Sequence, residues 1–193
     1  ELPNYSVFDE RRYFRPDDRP FTFDVDGVRF GINICEDSWF ENAPRAAAAA
    51  GAQVLLVLNA SPFSLGKQSL RVSVAQRCVR DTGCALIYSN LAGGQDELVF
   101  DGASFALDRD ARLVARLPDF HEALDLVEVD ANGSVRSVDN PSQVMQPGPE
   151  LLSAEGQVWE ALKVGLSDYV TKNGFKSVVL GLSGGIDSAV VLA

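Results

Sequence analysis

At 193 residues the chain is long enough for one large domain, or for one domain and part of a second. Its 46% hydrophobic content supplies a real core, and 23% charged residues is ordinary for a water-exposed surface. A formal net charge of -10 argues against nucleic acid or an anionic membrane as a partner, while leaving room for a local phosphate site built from backbone N–H groups. The cysteines, Cys35, Cys78 and Cys84, are an odd set without metal-ligand spacing, which favours a reducing, cytoplasmic setting over a disulfide framework. No apolar run is long enough to span a bilayer, and no signal peptide opens the chain. The chain begins at Glu1 rather than Met and stops at Ala193 within an apolar run, so it reads as a fragment of a longer polypeptide.

In chain order, Leu2-Pro3-Asn4-Tyr5 is turn-like, and Val7 to Arg19 is rich in charge and aromatics without a period. Phe21, Phe23 and Val25 alternate, as do Val28, Phe30, Ile32 and Ile34. The Asp26-Gly27 pair between the two runs predicts a hairpin. The second strand runs into Cys35-Glu36-Asp37-Ser38-Trp39. A helix is expected from Pro44 through the alanine run, capped by Gly51. Val54 to Leu58 reads as a buried strand, ending in Asn59-Ala60-Ser61-Pro62-Phe63. Gln68 to Thr82 has helical period, with Leu70, Val74, Ala75, Cys78 and Val79 on one face and Gly83 as its stop.

Ala85 to Tyr88 is a further buried strand, followed by a loop at Gly93-Gly94-Gln95-Asp96. A second hairpin is expected around Asp101-Gly102, joining Leu98–Phe100 to Ala103–Leu107. A tight turn at 108–112, a return strand over 113–117 and a closing strand over 124–129 complete the set. His121 reads as a surface residue. From Asp130 to Glu150 the composition shifts to Asn, Gly, Ser, Pro and Gln, the best candidate for a boundary. Leu151 to Asn173 reads as a helix with Val158, Leu162, Leu166 and Val170 on a face. Val178 to Leu182 reads as a short buried strand leading into Ser183-Gly184-Gly185-Ile186-Asp187-Ser188 and a new helix.

Two stretches carry chemistry. A strand that stops at Cys35 and is followed by polar residues can hold a thiol at a sharp corner, where following N–H groups face an oxyanion. The competing reading is a small buried hydrophobe, which is the reading given to Cys78 and Cys84. The Ser183–Ser188 stretch is a strand-to-helix phosphate loop without the terminal Lys of the common form. Its glycines admit an anion to the backbone, Ser183 and Ser188 offer hydroxyls, and Asp187 suits Mg²⁺.

The motifs I-C-E-D-S-W at Ile34–Trp39, L-P-N-Y at Leu2–Tyr5, V-F-D-E-R-R-Y-F at Val7–Phe14, N-A-S-P-F at Asn59–Phe63, G-K at Gly66–Lys67 and N-L-A-G-G-Q-D-E-L-V-F-D-G at Asn90–Gly102 occur in one order. That order resembles the nitrilase superfamily of carbon–nitrogen hydrolases, and within it the glutaminase half of glutamine-dependent NAD synthetases. The resemblance implies an α/β fold of αββα sandwich type, partial here, and a Cys nucleophile that attacks the side-chain amide of glutamine. Cys35 matches that nucleophile and Glu10 the family's assisting glutamate, while Tyr5, Glu36, Ser61 and Lys67 match glutamine-side positions. The family's general base and oxyanion Lys fall ahead of L-P-N-Y, so this chain is expected not to turn over glutamine alone.

The Ser183–Ser188 loop resembles that of the N-type ATP pyrophosphatases. Gly165–Phe175 resembles the entry to the synthetase half, a Rossmann-like adenine nucleotide hydrolase fold. The implied organisation is residues 1–135 as the C-terminal part of the glutaminase, 136–150 as linker and 151–193 as the start of the synthetase domain. The implied reaction is ATP-dependent amidation of deamido-NAD with ammonia from glutamine, using Mg²⁺, in an enzyme that assembles as a homo-oligomer. Two alternatives stay open: a nitrilase-class amidase with a short tail, and a non-catalytic fragment.

Overall fold

A computed structural model describes residues 2–4, 9–138 and 152–193. Strands β1 (Phe21–Val25) and β2 (Val28–Ile34) form the expected hairpin. Asp26 and Gly27 both adopt left-handed backbone, with φ of 49° and 83°, matching the twist of the strands they join. Helix α1 (Asn42–Ala49) carries the chain to β3 (Val54–Asn59), and α2 (Lys67–Thr82) carries it to β4 (Ala85–Asn90). β2, β3 and β4 pair in parallel, as two βαβ crossovers require.

The next two strands, β5 (Ala92–Gln95) and β6 (Leu98–Asp101), form a separate antiparallel ribbon. The chain then returns to the main sheet as β7 (Phe105–Leu107) and β8 (Leu113–Arg116), giving the order β1-β2-β3-β4-β7-β8.

Both helices cover one face of this sheet. Their core holds Leu55, Val57, Ala75, Val79, Leu86 and Leu107, all buried. The helix–sheet approach is so close at Gly31 that a Cβ there would sit 2.9 Å from that of Ala47, so only glycine fits. The opposite face carries a second apolar layer containing Val54, Ala85 and Ala106, with Phe30, Leu56 and Ile87 half-buried against it. At its end Ile34 is 63% exposed. The chain is therefore α/β, and among its described residues a six-stranded sheet carries a helical layer on one side, with two further two-stranded sheets.

Three local expectations need correction. The Gly93-Gly94 stretch is not a loop but most of β5, and the ribbon turns at Asp96-Glu97. No hairpin forms around Asp101-Gly102, because the Asp101 carboxylate is drawn inward to Arg71 at 2.7 Å and Gly102 turns the chain away at φ 60°. On α2 the buried face is Arg71, Val74, Ala75, Cys78 and Val79, while Leu70 is exposed. Four of the five expected residues are thus buried, and Arg71 takes the place of Leu70, which puts a charge inside the face.

Strand β9 (Val127–Val129) forms at the end of the expected 124–129 segment and pairs with β10 (Val135–Ser137), a strand the polar composition concealed. Its turn is held by the Asp130 carboxylate, which accepts from the N–H groups of Asn132 and Ser134. His121 is exposed, and Cys78 and Cys84 are buried, as expected. Tyr5, residues 139–150 of the boundary stretch and Leu151 at the start of the expected helix lie outside the described residues.

Helix α3 (Ala154–Lys172) starts at Ser153, whose Oγ accepts from the Gly156 N–H at 3.1 Å. It docks through its small and charged residues, not through the apolar face read from the sequence, on which Leu162 remains 61% exposed. Asp168 accepts from the Gly94 N–H at 2.6 Å, Lys172 donates to the Gly94 carbonyl at 2.5 Å, and the two side chains pair at 3.1 Å. Val178–Leu182 forms no strand among the described residues, and Val179 is 99% exposed. A buried strand needs ladder neighbours that no described segment offers. Helix α4 (Ile186–Leu192) follows the Ser183–Gly185 turn. Among the described residues no helix is long and apolar enough to cross a membrane.

Replacing Gly94 by Ala would place a Cβ 3.1 Å from the Gly165 Cα. That overpacking should weaken α3 docking by about 1–3 kcal/mol, seen as faster amide exchange across α3 with the exchange of β3 and β4 unchanged. The hydrogen bond from Gly94 holds the Asp168 carboxyl below its ordinary 3.8. A depressed folded-state pKa contributes stability that is present above that ordinary value. Docking should therefore be insensitive to pH from about 5 to 8 and weaken as pH falls through the carboxylate range. Asp168→Asn should abolish that acid dependence.

Candidate active site

Cys35 sits where β2 ends, in left-handed backbone at φ 42°, an unusual state for a residue with a Cβ. A five-residue 3₁₀ turn, Cys35–Trp39, follows at once. The corner is held from four directions. Asp37 Oδ2 accepts from the Ile34 N–H at 2.9 Å, and Ser38 Oγ donates to the Cys35 carbonyl at 2.9 Å. From α2, the Cys78 thiol donates to the Ser38 carbonyl at 3.0 Å and Arg77 to that of Trp39 at 2.7 Å. The sequence places a thiol at the end of a strand; these bonds make the end a sharp, fixed corner.

The thiol opens on a cleft of about 400 Å³ whose lining includes Leu2, Glu10, Glu36, Asp37 and Ala60. Glu10, in the 3₁₀ turn Glu10–Arg12, is thereby brought to the same cleft as Cys35 although 25 residues separate them. Burial pushes the Cys35 thiol above its ordinary 9.0, and the Glu36 carboxylate pushes it further. The Ala60 backbone amide, Lys67 and Arg71 oppose that rise. The thiol in this setting is a proton holder that needs a base before it can attack. Lys67, first residue of α2, is half-buried, and burial together with the Arg71 charge lowers its pKa.

Ser61 lies one residue behind the cleft wall and is buried. Its N–H donates to Asn90 Oδ1 at 2.9 Å, and its Oγ accepts from Arg71 Nε at 3.3 Å. Of the residues expected on the glutamine side, Glu36 lines the cleft, Lys67 stands close enough for its charge to act on the thiol, and Ser61 forms the backing.

The sequence reading missed Arg71, Asp101, Asn90 and Tyr88, which lie behind Ser61. Tyr88 stacks on Phe105 at 4.7 Å between ring centroids, and burial pushes its phenol up to about 12. The available signal was Arg71 itself, which falls at the i, i+3, i+4, i+7 spacing of the α2 apolar face where a charge has no ordinary place.

The second motif is compact. Gly184 has φ 83°, the Ser183 and Ser188 hydroxyls lie 3.1 Å apart, and Ser188 Oγ donates to the Gly185 carbonyl at 3.1 Å. A Cβ at Gly184 would meet nothing within 4 Å, so the loop is open to solvent. Among the described residues no three His, Cys, Asp or Glu side chains cluster as a metal site.

The carbon-nitrogen hydrolase family model matches residues 2–137, and the NAD synthase family model matches residues 158–193. The glutamine-dependent NAD(+) synthetase of Xanthomonas campestris pv. campestris is 45% identical over 100% of the chain and 34% of its own length. The solved glutamine-dependent NAD+ synthetase from Acinetobacter baumannii, in complex with ADP, superposes with a TM-score of 0.88 at 36% identity over 100% of this chain and 35% of that one. An amidase from Nesterenkonia sp. AN1, solved with acrylamide added at its active-site cysteine, superposes with a TM-score of 0.52 at 27% identity over 61% of this chain and 46% of that one. The chain thus spans about a third of the length of the curated relatives it matches.

The charges around Cys35 set the direction of a test. Alkylation of Cys35 by iodoacetamide, followed by peptide mass, should still be rising at pH 9 without a plateau. Glu36→Gln should speed it at neutral pH by removing a neighbouring negative charge, and Lys67→Met should slow it. Cys78 and Cys84, both buried, should react only on unfolding.

Proposed function

The chain belongs to the carbon-nitrogen hydrolase family, and from that premise we propose that it is the part of a glutamine-dependent NAD synthetase that carries the glutaminase nucleophile and opens the synthetase domain. The observation that carries this reading is the presence in one chain of two different sites: a fixed thiol corner at Cys35 and the Ser183–Ser188 loop. The first suits amide hydrolysis and the second suits ATP. The likeness of the whole chain to synthetases carrying both halves supports joining them. The boundary between the halves falls at 136–150 in this reading.

The chemistry at Cys35 begins with loss of the thiol proton. The sulfur then attacks the side-chain carbonyl carbon of glutamine, the C–N bond breaks, and ammonia leaves with one added proton. Water cleaves the resulting thioester to glutamate and restores the thiol. In this reading the Glu36 N–H, next along the corner, would donate to the oxyanion, Lys67 would add positive charge near the thiol, and Glu10, which lines the same cleft, would assist. Tyr5 completes the glutamine side in this reading.

At the second site ATP is a substrate. Ser183, Gly184, Gly185, Ile186, Asp187 and Ser188 would receive its phosphates through hydroxyls and backbone N–H groups. AMP passes to the carboxylate of deamido-NAD with loss of pyrophosphate, and ammonia displaces AMP to give the amide. A single carboxylate with adjacent hydroxyls fits Mg²⁺, which takes its remaining ligands from phosphate and water. Asp187 would hold it, and the ion would neutralise phosphate charge. The synthesis is read as cytoplasmic and homo-oligomeric.

NAD formation from deamido-NAD, ATP and Mg²⁺ tests this in the full-length protein with either glutamine or ammonium. Cys35→Ala should lower the glutamine-supported rate about 1000-fold and leave the ammonium-supported rate within about twofold. Asp187→Asn should lower both. A wild type that makes no NAD from either nitrogen source would end the synthetase reading.

A further inference from the structure

We propose that Arg71 is a positioning residue for the thiol site: its buried guanidinium fixes the 60–62 corner that walls Cys35 and sets where Lys67 stands. The proposal rests on the glutaminase reading of Cys35 and goes beyond it.

Arginine has five N–H donors in a planar fork, and here every one is used. Nε donates to Ser61 Oγ at 3.3 Å. Nη1 donates to Asp101 Oδ2 at 2.7 Å and to Gln68 Oε1 at 3.2 Å. Nη2 donates to the carbonyls of two consecutive residues, Ser61 at 2.9 Å and Pro62 at 3.2 Å. The Arg71 side chain is 0% exposed and that of Asp101 6%.

One side chain thus joins the end of β3, the start of α2 and the end of β6. Asn90 braces the same corner from β4, accepting from the Ser61 N–H and donating to the Gly102 carbonyl at 3.1 Å. The Phe63 N–H donates to the Val99 carbonyl at 2.7 Å beyond it.

Two consequences reach the thiol. Ala60, whose amide acts on the sulfur, immediately precedes the clamped Ser61-Pro62 carbonyls. Lys67 is four residues before Arg71, one helical turn away on the same face, so the guanidinium anchors the turn that carries the ammonium. An apolar pair could fill this volume and hold the helix to the strand. Gripping two successive carbonyls and a hydroxyl requires the fork. Among the described residues, the charged and titratable groups that line the cleft or act on Cys35 are Glu36 and Asp37 on its own turn, Glu10, Arg15 and Asp17 from the segment before β1, Lys67 and Arg71 from α2, and Tyr88 from β4.

The test uses the full-length protein with Arg71→Lys and with the charge-free pair Arg71→Met/Asp101→Asn. Three quantities are read: thermal unfolding, kcat and KM for glutamine hydrolysis, and the pH profile of Cys35 alkylation by iodoacetamide. The lysine keeps the ion pair but loses the fork. It should unfold within a few degrees of wild type, lower kcat about 100-fold through misplacement of the wall, and leave ammonium-supported synthesis unchanged. The double variant leaves no buried charge unpaired. It should unfold cooperatively yet remain as slow as the lysine variant, with the Cys35 profile moved to higher pH.

If either variant hydrolyses glutamine at the wild-type kcat with the wild-type alkylation profile, the pair is only a strut and the proposal falls. A wild type without glutaminase activity would instead remove the functional reading, and the alkylation profiles alone would still decide whether Arg71 controls the Cys35 environment.

Discussion

The Arg71–Asp101 pair is the interaction on which the site's geometry depends. Two opposite charges lie 2.7 Å apart with almost no exposure. Taking them out of water is costly, and the cost is offset only because the remaining donors meet oxygens of Ser61, Pro62 and Gln68. Removing one partner alone would leave a buried charge, at about 3–5 kcal/mol. The pair also explains a topological fact. β6 leaves the ribbon where Asp101 turns inward, so the chain reaches β7 through Gly102 rather than through a hairpin.

The Cys35 corner stands on that base. A non-glycine residue at positive φ is strained by about 1–3 kcal/mol, and the strain persists because the turn after it is tied at Asp37, Ser38, Cys78 and Arg77. Cys78, a core residue from its helical face, therefore does more than fill space, since its thiol caps a carbonyl of the turn. The same burial that fixes the corner raises the nucleophile's pKa. Rigid placement and a reactive thiolate pull in opposite directions, and a base or further positive charge has to reconcile them.

The ribbon β5–β6 links the two family stretches. Its base, at Asp101, belongs to the thiol-site network, and its free edge, at Gly94, receives Asp168 and Lys172 of α3. The glycines at 94 and 165 permit that contact, because a side chain at either would meet backbone or Val99 at 3.1 Å. The exposed face of α3, with Leu162 and Leu166, and the unpaired Val178–Leu182 segment sit beside each other in sequence and are both apolar.

The hairpin at Asp26-Gly27, the strands over 54–58 and 85–88, the helix ahead of each and the thiol at the end of β2 were legible in the sequence. Each follows from local period, turn chemistry or the spacing of apolar residues. The candidates Cys35, Glu36, Lys67 and the Ser183–Ser188 loop were legible as motifs, and the cleft that gathers Glu10 to Cys35 could only be expected from resemblance. Period also told which helices were amphipathic but misjudged one residue on the face of α2, since a buried Arg looks like a surface residue until its partner is known. The partner, Asp101, lies 30 residues away, and the contact of α3 with Gly94 likewise depends on long-range pairing. What the sequence determined by itself was local, because backbone dihedrals and side-chain period are local. The tertiary structure decided which charges are buried together, because desolvation and pairing are settled only when distant segments meet.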